Sequence, residues 1–420
     1  MAQSAYVFVY LPGDARPTVA GRFDWETAVS PSVGEFVYAQ SYLANGAAVP
    51  LDPVALPLRE QLFATVVCSG FFGVIRDATP DDWGRHLARR LFGASFQTDF
   101  DYLWMNTADR IGALAFGNVP AAPVEERPLL KWDQVLSLPL LEALQKIDRE
   151  IPLNRSEEEA ALAFGAGTSA GGARPKFTMI RDGHVWLAKL NRHNDRFNVV
   201  RIECAMLDLA AASGISVPEH ELAHVHDQDV LLVRRFDRVC AARGILRHRM
   251  VSAGTVFQAD EAVARYSYMG SYPRLARELS RWTITGDSDR HQLFRRVAFN
   301  ALTSVTDDHE RNHALVAEGP HFRLAPAFDL VPQPSNTRRR FLALSVGEFG
   351  ALAVRRNLLS SVEAFQLTLA EANAVIDDVQ QTVRNRWRDI FAQRGVSRQD
   401  VQRIEGCFDT TFFESDPPDS

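Results

Sequence analysis

The sequence predicts an α+β protein in which a β-rich part precedes a larger helical part. Short runs with strand-like alternation, such as AYVFVYL and DVLLVRRFD, occur up to about residue 238. From about residue 250 onward the spacing of apolar residues is mostly helical, as in DRHQLFRRVAFNALTSV. The 420 residues, 46% of them apolar, suffice for two or three packed lobes. Proteins with such a two-lobed layout commonly bind nucleotides in a cleft.

The first predicted zone, residues 1–125, combines short strands with one clear helix. PDDWGRHLARRLFG contains Asp81 and Asp82, which suit a helix N-terminus, and Gly93, which can end the helix. Toward the end of the zone, NVPAAPVEERPL is rich in proline and small residues, as linkers are. We therefore expect an N-terminal β-rich subdomain here.

Two further zones follow, residues 126–238 and residues 239–420. In the first of them, KFTMI and HVWLAKL are alternating runs joined through Asp182-Gly183, a strong short-range signal for a β-hairpin. NVVRIECAMLDLAAASG then has the apolar spacing of a helix. The last zone is predicted to be a helical lobe. The sequence contains no internal repeats and no low-complexity segment.

Charge and composition narrow the possible functions. Lysine and arginine number 46 against 52 aspartates and glutamates, and this formal net charge of −6 argues against a protein held on DNA by its own overall charge. The first residues lack the basic segment of a signal peptide, and no run of about eighteen apolar residues predicts a membrane span. The four cysteines are far apart and form no CxxC pair. We expect reduced thiols, a cytoplasmic location and no membrane partner.

The stretch TDDHERNHAL allows two incompatible interpretations, of which the first is a zinc site. His309, Glu310 and His313 fit the H-E-x-x-H pattern, in which two histidines bind zinc from one face of a helix. That site needs an uninterrupted helix, but the residues before His309 are weak helix formers and HALVAEGPHFRLA predicts strand–turn–strand. Arg311 would also place a fixed positive charge beside the metal. Zinc binding is therefore the less favoured interpretation.

The second interpretation is phosphoryl transfer. Asp307 can accept a proton from a substrate hydroxyl, and Asn312, five residues later, can turn back to hold a magnesium ion. Asp329, in LAPAFDL, follows a predicted hairpin and supplies a second metal-binding carboxylate. Phosphoryl transfer requires little beyond positioning and neutralisation of charge. A polar surface loop, with Asp329 as a helix cap, is the alternative without chemistry.

Three signals upstream could complete a nucleotide site. The glycine-rich stretch GAGTSAGGARPKF could let backbone N–H groups approach phosphates, although Ala173-Arg174 replaces the Lys-Ser/Thr of a Walker A loop. Lys189 ends a strand, as does the lysine that reaches the phosphates in kinases. Glu203, in the following helix, could pair with Lys189. A flexible loop and solvated side chains remain the alternatives for these residues.

Several of these motifs resemble those of a known family. SAGGARPKF, VWLAKLN, LLVRRFDR, TDDHERNHAL and LAPAFDL resemble the HipA family of toxin serine/threonine kinases from bacterial type II toxin–antitoxin modules. FFGVIRDATPDDWGRHLARR and IGALAF resemble its N-terminal subdomain, so the likeness covers nearly the whole chain. It implies a protein-kinase-like two-lobed fold with an additional N-terminal β-rich subdomain and a helical C-terminal lobe. It also implies ATP and Mg²⁺ as cofactors.

The resemblance also implies roles for individual residues. Asp307 would be the catalytic base, with Asn312 and Asp329 as Mg²⁺ ligands. Ser169 would be a site of autophosphorylation that inactivates the enzyme, and Glu203 would form a structural ion pair. The residues implied to contact ATP are Gly171, Gly172, Ala173, Arg174, Pro175, Lys176, Lys189, Arg234, Arg235, Phe236, His309, Glu310, Arg311, Asn312, Phe328 and Asp329.

Partners follow from the same resemblance. The family typically phosphorylates an aminoacyl-tRNA synthetase and causes growth arrest, and its members bind a HipB-like helix-turn-helix antitoxin on operator DNA. DNA contact would be indirect, through the antitoxin, although NTRRRF at 336–341 could touch phosphates. The chain has RRFD where the family often has ERFD, and Arg174-Pro175 where some members have Gln-Glu. A catalytically silent nucleotide-binding corepressor remains the alternative function.

Overall fold

The computed structural model divides the chain into two compact units, each built from several segments. It describes residues 2–105, 108–137, 139–164, 172, 174–258, 270–335, 337 and 339–414. The first unit consists of Met1–Asn194, Leu232–Val251 and Val316–Pro320, and the second of Asp195–Leu231, Ser252–Leu315 and His321–Ser420. The three-zone division at residues 125 and 238 stays a prediction.

An antiparallel five-stranded sheet organises the beginning of the first unit. Its strand order is β4-β3-β2-β1-β5. Burial alternates along β3, which turns Phe36 and Tyr38 into the core. Phe23 and Trp25 of β2 pack there against Phe71, with ring centroids 5.2 Å apart in both pairs. The strands are β1 (Ala2–Tyr10), β2 (Pro17–Glu26), β3 (Val33–Tyr38), β4 (Leu62–Thr65) and β5 (Leu114–Gly117).

The helices of the first unit are mostly short. The helix predicted from PDDWGRHLARRLFG is confirmed as α3, with Asp82 in its first turn and Gly93 following it at φ 63°. Its apolar face buries Trp83 and Leu87. The helices are α1 (Gln40–Leu43), α2 (Gly73–Asp77), α3 (Asp82–Phe92), α4 (Trp132–Ser137), α5 (Leu140–Asp148) and α6 (Arg155–Phe164).

The predicted hairpin is confirmed as β7 (Lys176–Arg181) and β8 (His184–Leu190). Its turn residues Asp182 and Gly183 both have positive φ, 50° and 72°, as a two-residue hairpin loop requires. Because the turn fixes the register, Lys176 lies directly opposite Lys189.

Two neighbouring segments pair with this hairpin, and the remaining strands follow later in the chain. The short strand β6 (Leu130–Lys131) pairs with β7 in parallel, and the N–H of Arg235, after β10, donates to the carbonyl of Val185 at 2.9 Å. The remaining strands are β9 (His220–Val225), β10 (Gln228–Arg234), β11 (Arg238–Ala241), β12 (Gly244–Arg247), β13 (Arg249–Ser252), β14 (Ala314–Ala317) and β15 (Arg323–Leu324).

Arg249 connects distant segments of the first unit. Its guanidinium donates to the carbonyl of Pro50 at 2.8 Å and to those of Gly319 and Pro320, also at 2.8 Å. Burial lowers the pKa of this guanidinium to about 10. Arg249 thereby links the late segment of the chain to an early loop.

The second unit is built around one long buried helix, α10. Phe294 of α10 packs edge-on against Phe365, with ring centroids 5.1 Å apart. The helix α12 begins with a capping box formed by Thr368 and Glu371. The helices are α7 (Val199–Ala212), α8 (Ala253–Phe257), α9 (Tyr272–Trp282), α10 (Gly286–Thr303), α11 (Arg355–Leu359), α12 (Leu369–Gln393) and α13 (Arg398–Ile404).

Arg340 corrects one sequence-based interpretation. Within NTRRRF it was a candidate phosphate contact, but its side chain is buried and donates to the carbonyls of Ala301, Leu302, Gly406 and Asp409. Two of these are the orphan carbonyls at the end of α10, which need donors. Arg340 therefore stabilises the fold.

The mixture of helices and open sheets confirms the predicted α+β fold class. Among the described residues, no helix combines the length and the apolar character needed to cross a bilayer.

Candidate functional site

The stretch TDDHERNHAL forms an irregular loop between α10 and β14. The helix ends at Thr303, and Ser304 adopts the left-handed conformation with φ 55°. Only Glu310–Asn312 forms a single 3₁₀ turn. His309 and His313, on either side of that turn, have extended backbone angles. The loop therefore lacks the continuous helix that an H-E-x-x-H zinc site requires, and the geometry contradicts the zinc interpretation.

The two histidines also have separate surroundings. His309 Nδ1 accepts the backbone N–H of Arg311 at 3.2 Å, which caps the 3₁₀ turn. His313 is buried, and burial lowers the pKa of its imidazole to about 3. His309 thus shapes the loop, while His313 belongs to the core beneath it.

Asn312 folds back onto the start of the loop. Its side-chain amide donates from Nδ2 to the backbone carbonyl of Asp307 at 2.7 Å. This bond orients the amide, because the donor nitrogen faces Asp307 and the oxygen Oδ1 is left as the acceptor. The predicted base and the predicted metal ligand are therefore adjacent in space, as their five-residue spacing implied.

Asp307 and Asp329 form a pair of interacting carboxylates. Asp307 is open to solvent on one side, but burial by its surroundings raises the pKa of its carboxyl above the usual value. The positive potential of His309 opposes that shift, and the negative charge of Asp329 adds to it. Two carboxylates within electrostatic reach of each other favour a cation between them.

The backbone presents Asp329 in an unusual conformation. Its φ is 59°, in the left-handed region that residues other than glycine seldom adopt. Such a conformation costs on the order of 1 kcal/mol or more and persists where the surrounding structure enforces it. The surrounding structure therefore holds the backbone of Asp329 in this conformation.

Asn312 and Asp329 face a common cavity. The cavity is small, about 10 Å³, which is room for one water-sized sphere. Its lining residues are Arg296, Asn300, Val305, Asp308, Asn312, His313, Ala327, Phe328, Asp329 and Leu330. The structure thus brings together three predicted site residues, Asn312, Phe328 and Asp329.

This donor set fits Mg²⁺. Carboxylate and amide oxygens are the ligands this ion prefers, and it is usually held by one or two carboxylates, with waters and substrate phosphates as the other ligands. The described part of the chain contains no group of three or more His, Cys, Asp or Glu side chains able to hold a metal. A metal that needs a complete set of protein ligands is therefore a poorer match to these residues than Mg²⁺.

The glycine-rich loop belongs to the first unit, and Ser169, Gly171 and Ala173 lie outside the described residues. Gly172 is described, with φ 98°, and its N–H donates to the carboxylate of Asp81 at 3.1 Å. A Cβ at this position would lie 2.9 Å from Nζ of Lys176. The backbone angle therefore favours glycine here, whereas the lysine end group could move aside for a Cβ.

The next residues of the loop lead into the hairpin. Arg174 is half-buried, while Pro175 is buried and its carbonyl accepts the N–H of Leu190 at 2.9 Å. This bond continues the pairing of β7 with β8 by one residue, so the loop is attached to the hairpin at its second end.

The two lysines of the hairpin form a pair that the sequence analysis treated separately. Lys176 and Lys189 are both buried, 2% and 5% exposed, and directly opposite residues of a hairpin point to the same face. Lys176, predicted both to contact the phosphates and to begin the hairpin run KFTMI, is the first residue of β7. The two-residue turn was the signal that could have revealed this pairing.

The segment after β10 serves a structural role in addition to any predicted nucleotide contact. The guanidinium of Arg235 is buried, pairs with Asp237 at 2.7 Å and donates to the carbonyl of Asp109 at 2.6 Å. Arg238 pairs with the same carboxylate at 2.9 Å. Burial would raise the pKa of Asp237, but the two arginines hold it well below its usual value.

The other predicted contacts lie as follows. Arg234 and Phe236 are half-buried, as are Glu310 and Arg311. Glu203 is buried on α7, in the second unit, whereas Lys189 belongs to the first. Their ion pair stays a prediction.

A buried polar network beneath the loop was missed from the sequence. Tyr272 donates its hydroxyl proton to Asp308, which also accepts the N–H of Ala343 at 2.7 Å. Asn300 Nδ2 lies 3.2 Å from the same hydroxyl, as does His313 Nε2. Burial raises the pKa of Asp308 to about 6. In the sequence, Asp308, the second aspartate of TDDH, was the one feature that could have indicated this network.

Comparison with known proteins adds two family matches. The family model of the HipA N-terminal domain matches residues 15–117. The family model of the HipA-like C-terminal domain matches residues 168–387. The second match alone covers more than half of the chain.

Two individual proteins are similar over most of their length. The putative kinase Y4mE of Sinorhizobium fredii (strain NBRC 101917 / NGR234) is 25% identical over 320 residues, which cover 70% of this chain and 71% of that protein. A chain from the Shewanella oneidensis MR-1 toxin–antitoxin complex of HipA, HipB and operator DNA matches with a TM-score of 0.68 at 17% identity. That match covers 97% of this chain and 96% of the other, so the two share a fold.

Proposed function

The chain belongs to the HipA family, and on that premise we propose that it is an ATP- and Mg²⁺-dependent serine/threonine protein kinase that acts as a toxin. The observation that carries the proposal is the convergence of Asp307, Asn312 and Asp329. Asn312 is hydrogen-bonded to the backbone of Asp307, Asp329 influences the Asp307 carboxyl, and Asn312 and Asp329 line one cavity. Phosphoryl transfer requires these parts, a base and oxygen ligands for a cation.

Asp307 acts as the base in the proposed mechanism. Its carboxylate would accept the proton of a substrate serine or threonine hydroxyl as that oxygen bonds to the terminal phosphorus of ATP. The bond from that phosphorus to the bridging oxygen breaks, and ADP leaves. The raised pKa of Asp307 makes the carboxylate a better proton acceptor than an ordinary aspartate. Its partial exposure allows a substrate side chain to reach it.

Asn312 and Asp329 hold the metal. When bound, Mg²⁺ neutralises charge on the phosphates. The amide of Asn312 is oriented by its hydrogen bond to Asp307, which lowers the entropic cost of binding at that side chain. The left-handed backbone of Asp329 fixes the position from which its carboxylate would reach the metal.

Lys176 and Lys189 bind the phosphates of ATP. Two ammonium groups on one face of a hairpin suit a polyanion, because each carries a positive charge that attracts phosphate. Gly172 lets the backbone approach the phosphates closely. We further assign the phosphate contacts to Gly171, Ala173, Arg174 and Pro175.

The remaining nucleotide contacts are assigned from the family resemblance. The backbone of Arg234, Arg235 and Phe236 faces the adenine, since the Arg235 side chain already pairs with Asp237. His309, Glu310, Arg311 and Phe328 lie near the nucleotide. Glu203 pairs with Lys189.

A transfer assay tests this function. The full chain is incubated with radiolabelled ATP, Mg²⁺ and bacterial lysate, and the label in protein is measured. We expect transfer in the wild type and a loss of at least about 10³-fold in Asp307→Ala, because removing the base and its charge disables the chemical step. Asp14→Ala, at an exposed aspartate of the first unit, is the control and should keep full transfer.

The alternative function gives a different result. A silent nucleotide-binding corepressor would bind Mg–ATP but label no protein, and Asp307→Ala would then change nothing. That outcome would overturn the kinase proposal.

Partners and regulation are proposed from the relatives. The similar Shewanella chain comes from a complex with HipB and operator DNA, which supports a HipB-like antitoxin here and DNA contact through it. The substrate proposed from the resemblance is an aminoacyl-tRNA synthetase, and phosphoproteomics of cells with and without the active protein tests it. Ser169 is the autophosphorylation site proposed from the resemblance. A phosphate there would inactivate the enzyme, because its charge would repel the phosphates of ATP. Phosphopeptide mapping that finds no modified Ser169 would contradict this.

A further inference from the structure

The buried network of Tyr272 lies beneath the loop that joins α10 to β14. Tyr272 is the first residue of α9 and is fully buried. Its backbone N–H donates to the carbonyl of Ser345 at 2.9 Å, and Ser271 caps the same helix end through its side chain. The position of the Tyr272 ring is thus fixed at its backbone.

The hydroxyl of Tyr272 contacts both ends of the loop. It donates to Asp308, the residue after the proposed base Asp307. It also lies 3.2 Å from Nε2 of His313, the residue after the proposed metal ligand Asn312. One oxygen atom therefore connects the neighbour of the base with the neighbour of the metal ligand.

Proton accounting assigns the direction of these bonds. A tyrosine hydroxyl has one proton to donate and two lone pairs to accept with. Its proton goes to the carboxylate of Asp308, so Nδ2 of Asn300 donates to the oxygen, and Nε2 of His313 donates to it in the tautomer that carries its proton there. The proton and both lone pairs of the hydroxyl are then engaged in hydrogen bonds, and each of its partners is held in one orientation.

Asp308 is fixed on its other oxygen as well. Its Oδ1 accepts the backbone N–H of Ala343 at 2.7 Å, and the residue is 2% exposed. A side chain held at both oxygens constrains its own backbone. That backbone is bonded directly to Asp307, so the constraint reaches the base.

We propose that Tyr272 is a positioning residue for catalysis, whose hydroxyl sets the spacing between the base Asp307 and the metal ligand Asn312. The inference rests on the proposed kinase function and extends it. Asp308, Asn300 and His313 act with Tyr272. The hydrogen bond from the Asn312 side chain to the Asp307 carbonyl closes the loop on its solvent side. A shift of about 1 Å in such a group can lower a rate by about 10²-fold.

The test compares two tyrosines that are equally buried. Tyr272→Phe removes the hydroxyl beneath the loop. Tyr42→Phe is the matched control, because Tyr42 is also 0% exposed and its hydroxyl donates to the carbonyl of Val49 at 2.7 Å in the first unit. Both variants lose one buried hydrogen-bonding group, so both lose stability.

Two quantities separate positioning from stability. We expect Tyr272→Phe to lower kcat by about 10- to 100-fold and to raise the Mg²⁺ concentration that half-saturates ATP binding, measured by calorimetry. Tyr42→Phe should leave both within about twofold. The inference is overturned if Tm falls by a similar amount in both variants while Tyr272→Phe keeps the wild-type kcat and Mg²⁺ requirement.

A second variant guards against misfolding of the first. Asp308→Asn keeps the size of the side chain but replaces one accepting oxygen with a donor. It should reproduce the effect on kcat, and the double variant should be no worse than the more damaging single one, because residues that act as a unit are not additive. Additive losses would contradict a shared role.

The experiment also distinguishes a failure of the kinase function. If the wild type transfers no phosphate but binds ATP with Mg²⁺, the kinase proposal fails, and the Mg²⁺ requirement of Tyr272→Phe still decides the inference. If the wild type binds no ATP at all, both proposals fall.

Discussion

At the scale of single residues, Asp52 shows how burial changes a carboxylate outside the candidate site. It is 1% exposed, and its Oδ1 accepts the N–H groups of Val54 and Ala55, both at 2.8 Å. Burial raises the pKa of Asp52 to about 6, and the nearby Asp77 contributes. The charged form is therefore disfavoured in the folded state.

This shift predicts a dependence of stability on pH. Because the folded pKa lies above the unfolded one, the free energy of unfolding falls as pH rises from about 4 to about 6 and stays low above that. Asp52→Asn keeps the accepting Oδ1 and removes the ionisation. We expect it to raise the free energy of unfolding at pH 7 by about 1–3 kcal/mol and to flatten this part of the pH profile.

Urea denaturation at pH 4.5 and pH 7 measures the effect. The control is Asp14→Asn, since Asp14 is exposed and its Oδ1 accepts the N–H of Arg16. An Asp52→Asn variant as sensitive to pH over this interval as the wild type would contradict the expectation.

At the scale of elements, the segment RRFDR joins β10 to β11 through a buried ion network. Asp237 lies between Arg235 and Arg238 and also accepts the N–H of Gly112 at 3.0 Å. Burial lowers the pKa of the Arg238 guanidinium to about 9. The two arginines depend on one carboxylate for their charge balance.

Removing that charge is expected to be costly. Asp237→Asn removes the carboxylate that directly contacts two buried guanidinium groups, and we expect a loss of about 3–5 kcal/mol in unfolding free energy at pH 7. Asp24→Asn is the control, because Asp24 pairs with a half-exposed Arg22 and should cost less than about 1 kcal/mol. Thermal unfolding of both variants checks the difference. Similar losses in the two variants would show that burial adds nothing.

The elements differ in how far the sequence predicted them. The hairpin followed from Asp182-Gly183 and α3 from its terminal residues, because turn and cap chemistry is local. The network of Tyr272 could not be predicted. Its members are brought together by packing of segments far apart in the chain, and a lone polar residue in a helix resembles a solvated one.

The same limit applies within the candidate site. The spacing of Asp307, Asn312 and Asp329 was visible in the sequence. The structure hydrogen-bonds Asn312 to Asp307 and sets Asn312 and Asp329 against one cavity, while their roles in catalysis stay a prediction. Arg340 was misjudged because a cluster of arginines resembles a solvated surface patch. Its partners are carbonyl groups at the end of α10 and near residue 406, which only the tertiary structure identifies.

At the scale of the whole molecule, ligand binding should stabilise the full chain. Mg–ATP at about 100 times its Kd adds about 2.7 kcal/mol to the unfolding free energy of the state that binds it. We expect a rise of a few degrees in Tm with Mg–ATP, most of which is lost when EDTA removes the metal.

Variants at the metal site refine this measurement. Asp329→Asn should reduce the Tm shift, because one carboxylate ligand is gone, whereas Asp378→Asn, at an exposed pair with Arg295, should keep it. A full shift in Asp329→Asn would remove Asp329 from the metal site.

The hydrogen bonds from Arg249 to Gly319 and Pro320 have a consequence for biosynthesis. The first unit includes Val316–Pro320. It therefore lacks its final segment until most of the polypeptide has been synthesised and has left the ribosome. A nascent chain that stops before that point leaves Arg249 without two of its three carbonyl acceptors. The same prematurely terminated product lacks Asp329, so truncated translation products of this chain cannot assemble the proposed metal site.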